Sequence, residues 1–454
     1  MQNSLKDLNV ILYFIAQNGN IAEGTIPGAP GNTMPFSNTR RSFRFSCRPE
    51  EIPAAAEMLS AQGYVFEPDD FFTPARRLTA EPRPLGRSLA AFFGLIYIQD
   101  RSSMLPPLAL NPLPGAAVLD MCASPGSKTS QLAWMTGPEG LVLGNEPSPQ
   151  RLVNLRRNLR VLGAAQAVTC CHSGERMPLP DESWDLIQLD PPCSGWGTVE
   201  KHPKTALLWK EGKTAPLIRL QRELLREAAR LLRPGGTVVY STCTTNAEEN
   251  ERQVLFACGE LGLQIEELPA PAGFALREPE GCSGVWRLDT VPGESQGFFV
   301  ARLRKPGSPD GPVPYTTDPV QAEVLDSVRL AEQGIDARRM AAEIGIFAGS
   351  LHALPLHALT HLPASLRWQG LYMGKHGKNG EIKISPRSRD EGPGVHVDVE
   401  GREGLRRIEG LLQGQSMSTP DHLPSGVRSV LLRWNELPLC RLTVKGNRLV
   451  WSER

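Results

Sequence analysis

Two cysteines stand where a side chain could react. Leu189 to Gly197 reads LDPPCSGWG directly after the apolar run WDLIQ, which places Asp190 at a strand end and Cys193 in a loop restrained by proline and glycine. LRPGG, Leu232 to Gly236, stops a helix ahead of a second apolar run, GTVVYS, which runs out into TCTTNAEENE and leaves Cys243 at its carboxyl end. A thiolate can form a covalent intermediate and so divide one hard step into two easier ones. It does so only where it is accessible and its pKa is lowered. A cysteine without such surroundings is inert packing, the reading given to Cys47, Cys170, Cys171, Cys258, Cys282 and Cys440.

A third stretch, DMCASPGSKT (Asp120 to Thr129), follows AAVL and precedes QLAWMTG. This is strand, turn, helix. In a doubly wound sheet such a turn lies at the carboxyl edge, where a small residue and a glycine, here Gly126, let the backbone approach a ligand closely. It matches neither G-x-G-x-x-G nor G-x-x-x-x-G-K-[ST], so neither a dinucleotide nor a phosphate loop is favoured. The next strand, LVLGNE, ends at Glu146, placed to accept hydrogen bonds from ribose hydroxyls; a surface carboxylate at a strand end is an equally good reading.

These stretches need elements to hold them. Between Gly115 and Lys305 the runs AAVLD, LVLGNE, AVTCC, WDLIQLD, GTVVYST and GFFVARL alternate with helical segments, the rhythm of an α/β domain with a mostly parallel sheet. Both cysteines then lie on the sheet edge that carries the turn.

Around this domain, 113–305, the chain divides further. Residues 1–36 form a poorly defined leader whose apolar run NVILYFIA falls far short of the roughly 20 residues that span a bilayer; no cleavage site supports a signal peptide. Residues 37–112 begin with a small β-α-β pattern (SFRFSC, PAAAEMLSAQ, YVFE). A Pro/Gly-rich linker, 306–318, leads to 319–454, read as a helical region from Pro319 to about Leu356 and then a small β-rich domain. Lys plus Arg equals Asp plus Glu at 49 each, so any nucleic-acid surface must be a local patch. Arg40, Arg41, Arg44 and Arg48 form one basic cluster, and Arg151, Arg156, Arg157 and Arg160 another at helical spacing, for which a solvated helix face is the preferred reading. Nine cysteines without a C-x-x-C pair indicate no metal site and reduced thiols in a cytoplasmic protein. Oligomeric state is not legible.

Five stretches in order, YIQDRSSMLP (Tyr97 to Pro106), DMCASPGSKT, LDPPCSGWG with the following KHP, LRPGG and YSTCTTNAEENE, resemble the RNA cytosine-C5 methyltransferases, of the type that includes the bacterial small-subunit rRNA enzymes. The resemblance covers roughly Arg40 to Lys305, and the C-terminal part more loosely. It implies a class I S-adenosylmethionine-dependent methyltransferase: Rossmann-like, α/β, with a seven-stranded sheet, a small N-terminal α+β RNA-binding module and a C-terminal PUA-like RNA-binding domain. GLYMGKHGKNGEIKISPRSR is the candidate contact surface of the last, a solvated hairpin being the alternative. Carried over by position, the resemblance makes Cys243 the nucleophile and Cys193 the thiol that assists release of the methylated base. Cys122, Ala123, Ser124, Pro125, Gly126, Ser127 and Lys128 become the loop around the methionine part of the cofactor, Glu146 the ribose-binding acid, and Asp190 the acid between cofactor and base. The chain departs from the pattern at Ser173, where the family usually has an aspartate for the adenine; the exchange is expected to cost about 1 kcal/mol of cofactor affinity, the usual net worth of one hydrogen bond.

The chemistry accounts for the thiols. Carbon-5 of cytosine is too poor a nucleophile to take a methyl group directly, and a thiolate adding to carbon-6 supplies the missing electron density. The expected substrate is small-subunit rRNA with the target base flipped from its stack, and tRNA is the alternative. A DNA enzyme is expected to use the proline-cysteine thiol and to lack the strand-end T-C-T. A non-catalytic RNA-binding assembly factor would keep binding after loss of both cysteines.

Overall fold

The computed structural model describes residues 41–198 and 214–453, apart from 278, 280, 292–293, 309–310, 312–315, 378, 393, 421–422 and 425. The leader 1–36, Arg40 and the KHP segment lie outside the described residues.

The N-terminal module contains β1 (Ser42–Phe45), α1 (Ile52–Ala61), β2 (Val65–Pro68), β3 (Ala75–Ala80), α2 (Leu89–Phe92) and β4 (Ile96–Ile98), followed by α3 (Leu105–Leu110). Its antiparallel sheet has the order β2-β3-β1-β4, two strands more than the β-α-β pattern anticipates. The alternation in β1 sends Phe43 and Phe45 into edge-to-face contact with Phe66, at centroid distances of 5.5 and 6.2 Å, and leaves Arg44 facing the catalytic domain.

The catalytic domain runs through β5 (Ala117–Asp120), α4 (Ser127–Thr136), β6 (Leu141–Asn145), α5 (Pro149–Leu162), β7 (Ala167–Cys170), β8 (Trp184–Leu189), α6 (Ala215–Leu231), β9 (Leu232–Thr242), α7 (Glu251–Leu261), β10 (Gln264–Ile265), β11 (Trp286–Leu288) and β12 (Phe298–Arg304). The order is β10-β12-β9-β8-β5-β6-β7, parallel from β7 to β9 and antiparallel at β12, with short β11 joining β12 as an eighth strand. Its strands are covered on both faces, which is why they read as continuous apolar runs in place of alternation. The strand order reverses between β5 and β8, and the crevice outside the carboxyl ends of such strands is where this architecture binds ligands. LRPGG does not precede the last of these parallel strands but bulges within it: Trp184 pairs with Leu232 and Leu186 with Thr237.

The C-terminal region departs from expectation. The helical reading of 319–356 is wrong over most of its length. After β13 (Glu323–Val324), helix is confined to α8 (Ser327–Glu332), a single 3-10 turn, Ala337–Met340, and α9 (Leu356–His361). Between them β14 (Ala342–Phe347) and β15 (Ser350–Pro355) form a hairpin. Its turn residues Ala348 and Gly349 both have positive φ, 47° and 75°, the conformation that matches the twist of two antiparallel strands. With β16 (Leu371–His376) and β17 (Ile382–Ile384) these make a five-stranded antiparallel sheet. A second, mixed sheet follows: β18 (His396–Val399), α10 (Gly401–Leu412), β19 (Met417–Ser418), β20 (Ser429–Trp434), β21 (Leu437–Lys445) and β22 (Arg448–Val450), in the order β18-β20-β21-β22-β19.

The two C-terminal sheets dock separately. The first packs on the catalytic domain, where Thr169 and Gln369 exchange backbone hydrogen bonds of 2.9 and 2.8 Å. The second shares one apolar core with the N-terminal module, Trp434, Ile408 and Leu432 clustering with Phe43, Phe45 and Met58. Among the described residues no helix is long and apolar enough to cross a membrane.

Candidate active site

The cofactor turn is built from the end of β5 to the start of α4. The Ala123 amide donates to the Asn145 carbonyl at 2.9 Å, and the Gly126 amide to Ala123 at 2.7 Å. Gly126 sits at φ +104°, the left-handed region that favours glycine, and a Cβ there would stand 3.0 Å from Leu155 Cδ1, which would have to shift slightly. Asn158 Nδ2 donates to the Pro125 carbonyl at 2.8 Å, and Arg151 Nη2 to the Ser124 carbonyl at 3.0 Å, so α5 holds the turn from outside. Ser127 and Lys128 form the first helical turn beyond it. At the foot of the turn Asp120 accepts from Thr129 Oγ1 at 2.7 Å, while its other oxygen, buried, has no hydrogen-bond partner among the described residues. Burial pushes this carboxyl up to about 6 and the neighbouring Cys122 thiol well above its ordinary value.

Glu146, just after β6, is buried; its Oε1 accepts from the Ser148 amide at 2.9 Å and its Oε2 lies 3.4 Å from Arg151 Nη2. Arg151 therefore touches both the turn and the acid, a role that reading it as one of a basic cluster misses. Ser173, beyond β7 on the same edge, is exposed and its hydroxyl donates to the Glu175 carboxylate. A left-handed glycine cradle, an unpaired buried carboxylate oxygen and an oriented carboxylate at the next strand end fit the methionine and ribose portions of an adenosyl cofactor.

The reacting groups converge beside this turn. Asp190, after β8, accepts from Lys128 Nζ at 2.7 Å and from Ser241 Oγ at 2.9 Å, so both of its oxygens are oriented. Burial works against the Lys128 charge, but Asp190 outweighs it and the ammonium is held above its ordinary pKa. Cys193 Sγ and Cys243 Sγ stand 3.3 Å apart. The hydrogen bond from Cys193 lowers the Cys243 pKa, with Lys128 adding to the effect against the opposition of burial and Asp190. The same bond, with burial, raises Cys193 well above the ordinary thiol value. The contact thus favours the thiolate at Cys243 over the thiolate at Cys193. The two strand ends are also stitched together by the Gly197 amide, which donates to the Cys243 carbonyl at 3.0 Å.

The six remaining cysteines fit the packing reading with one exception: Cys171 is exposed. Among the described residues, most arginines of the two clusters are engaged with other groups of the protein. Arg44 is fully buried, with Nε on Gln99 Oε1 at 3.0 Å and Nη2 on Ser130 Oγ at 2.6 Å. Arg48 pairs with Glu51 at 2.8 Å, and Arg41 lies 3.5 Å from Glu81. On α5, Arg156 donates to Thr169 Oγ1 at 2.9 Å and Arg160 to Glu453 at 3.1 Å, so these residues join elements together and do not form a solvated face. In the C-terminal stretch proposed from sequence as a contact surface, Lys378 lies outside the described residues; the rest forms β16, β17 and the segment beyond, where Arg387 is tied into the protein interior. No cluster of metal ligands occurs among the described residues.

A parallel-sheet fold with a glycine-cradled turn at its switch point, and two thiols in contact on the same edge, is that of a class I methyltransferase. Residues 107–304 match the family described as 16S rRNA methyltransferase RsmB/F, and the chain belongs to the methyltransferases. It is 38% identical over 264 residues to ribosomal RNA small subunit methyltransferase F of Shewanella loihica, covering 55% of this chain and 53% of that protein. It is 39% identical over 272 residues to the protein of the same name from Salmonella heidelberg, covering 56% and 54%. The chain thus spans about half the length of the curated relatives it matches. Among solved structures, a methyltransferase homolog from Pyrococcus horikoshii is 31% identical with a TM-score of 0.50, covering 59% of this chain and 87% of that one. A second Pyrococcus horikoshii structure, NSun6, at 20% identity and a TM-score of 0.51, shares the fold, covering 60% and 91%.

Proposed function

We propose that the protein methylates carbon-5 of a cytosine in small-subunit (16S) rRNA, with Cys243 as nucleophile and S-adenosylmethionine as methyl donor. The observation that carries the reading is the Cys193–Cys243 sulfur contact of 3.3 Å beside the Lys128–Asp190 pair, on the sheet edge that holds the cofactor turn. S-adenosylmethionine, when bound, supplies an electrophilic sulfonium methyl; Cys122 through Lys128 would hold its methionine part, Glu146 its ribose, and Ser173 or the adjoining Glu175 its adenine end.

The Cys243 thiolate forms a bond to carbon-6 of the flipped cytosine, and the displaced electron pair moves toward the ring nitrogen and makes carbon-5 nucleophilic. Asp190, fixed by Lys128 and Ser241, accepts a hydrogen bond from the cytosine amino group, and the Lys128 ammonium beside it offsets the negative charge that develops on the ring. Once carbon-5 carries the methyl, its proton passes to a water molecule, the C–H electron pair returns to the ring, the carbon-6 to sulfur bond breaks, and Cys243 leaves as thiolate with Cys193 assisting. Both thiols must stay reduced, so we place the protein in the cytoplasm. The PUA-like reading of the C-terminal β-rich part, and its role in RNA binding together with the N-terminal module, belong to the same proposal.

The test is transfer of labelled methyl groups to 16S rRNA, assembled small subunits and total tRNA, with hydrolysed product analysed for 5-methylcytosine. Preference for 16S rRNA or the subunit is expected. Preference for tRNA would overturn the substrate, and absence of 5-methylcytosine would overturn the chemistry.

A further inference from the structure

Glu249 ends a 3-10 turn, Ala247–Glu249, between the strand that carries Cys243 and α7. Its side chain is fully buried. One carboxylate oxygen accepts from the Ser194 amide at 2.9 Å and from Gln221 Nε2 at 3.0 Å. The other accepts from Ser194 Oγ at 2.6 Å and from Asn246 Nδ2 at 3.0 Å. The Tyr240 hydroxyl donates to its carbonyl at 2.6 Å. Gln221, on α6, also donates to the Pro192 carbonyl at 3.0 Å. The residues on both sides of Cys193 are therefore tied to one Gln221–Glu249 pair. On the other strand end Asn250, the next residue, donates to the Thr244 carbonyl at 2.9 Å and accepts from Thr242 Oγ1 at 2.6 Å, bracketing Cys243 in the same way. Ser194 Oγ and Thr244 Oγ1, 2.8 Å apart, close the circuit.

We propose that Glu249 is a positioning residue that sets the contact between the two thiols, its carboxylate clamping the Cys193 loop against the strand end that carries Cys243. The proposal rests on the reading of Cys243 as nucleophile with Cys193 beside it. All four groups that meet the carboxylate are donors, so both oxygens must be acceptors. An amide in place of the carboxylate turns an NH2 group against donors that cannot all reverse: the Ser194 amide is fixed, and Asn246 Oδ1 already accepts from the Glu248 amide at 3.2 Å. A buried carboxylate in a network of this kind fixes geometry more sharply than apolar packing, because each partner is directional. The sulfur–sulfur contact, which lowers the Cys243 pKa, weakens once the loop moves.

The test is alkylation of the full chain by iodoacetamide across roughly pH 6 to 10, bracketing the ordinary thiol range, without RNA or cofactor and with Cys243 resolved by peptide mass. Wild type, Cys193→Ala, Glu249→Gln and the double variant are compared, with circular dichroism as the check on folding. Glu249→Gln is expected to move the Cys243 midpoint upward by about one pH unit, a roughly tenfold loss of thiolate at fixed pH. The double variant is expected to titrate as Cys193→Ala alone. A wild-type profile in Glu249→Gln, or a shift that adds to that of Cys193→Ala, would overturn the proposal. Should Glu249→Gln fail to fold, Ser194→Ala is read instead: a smaller shift in the same direction is expected, and an unshifted profile overturns the clamp. Failure of the underlying reading shows elsewhere, as methyl transfer that survives Cys243→Ala.

Discussion

Asp120 shows how a single residue at the cofactor turn sets a pH dependence. Its carboxyl is pushed from 3.8 to about 6 by burial, so the folded state binds the proton more tightly than the unfolded one. The stabilising contribution is full below the unfolded value and is lost as pH rises through about 6; at neutral pH the buried charge costs up to about 3 kcal/mol. Asp120→Asn keeps an acceptor for Thr129 and removes that charge. Its melting temperature should exceed wild type at pH 7.5, and the gain should vanish toward pH 4. An equal gain at every pH would contradict the assignment. The two thiols were legible as residues because a cysteine at the end of each strand is an uncommon pattern. Their polarity was not, because it depends on a 3.3 Å contact between loops separated in sequence. Glu249 was hidden for the same reason: one acid in an acidic run gives no sign of which carboxylate will be buried.

Among the elements, the parallel strands were the most readable, since burial on both faces writes itself as unbroken apolar runs. The hairpin of β14 and β15 was misread as helix because Ala, Met and Leu suit either state and the turn that decides it is two residues long. The arginines misled differently. Their helical spacing on α5 was real, but whether a face is solvated depends on what docks there, and the first C-terminal sheet does. The loop after β8 has its own constraint at Gly197, where a Cβ would stand 2.2 Å from the Gly297 carbonyl oxygen and 2.8 Å from that of Cys243. Both are backbone atoms and cannot step aside. Gly197→Ala should force the two catalytic strand ends apart, lowering methyl transfer about a hundredfold for a displacement near 1 Å. Thermal stability should fall by about 1–3 kcal/mol. Retained activity with an unchanged melting curve would show that the loops are not locked together.

In the whole molecule the C-terminal region is not an appendage. Its second sheet completes the core of the N-terminal module, and Arg387 fastens the joint: its Nη2 donates to Glu453 at 2.7 Å, and its guanidinium lies 4.3 Å from the centroid of the Phe92 ring and 5.4 Å from that of Trp451. A cavity of about 560 Å³ lined by Cys47, Trp134, Arg160, Met340 and Arg389 remains where the three units meet. No periodicity in the sequence reports such contacts, because they join residues hundreds of positions apart. Although burial opposes it, Arg387 holds the Glu453 carboxyl below its ordinary 4.5, so the pair contributes stability that is full above that value and is lost as pH falls through the depressed one. Arg387→Ala should cost about 3 kcal/mol at neutral pH. That deficit should shrink on acidification, as denaturant titrations at several pH values would report; a pH-independent deficit would mean that packing alone holds the joint.

The proposed reaction turns on a covalent bond between Cys243 and the base. The most direct test is to incubate Cys193→Ala with 16S rRNA and S-adenosylmethionine, digest both protein and RNA, and map any cross-linked peptide by mass. A methylated cytosine attached through Cys243 is the expected result. Attachment through any other residue, or full turnover to 5-methylcytosine by a Cys243→Ala protein, would contradict it.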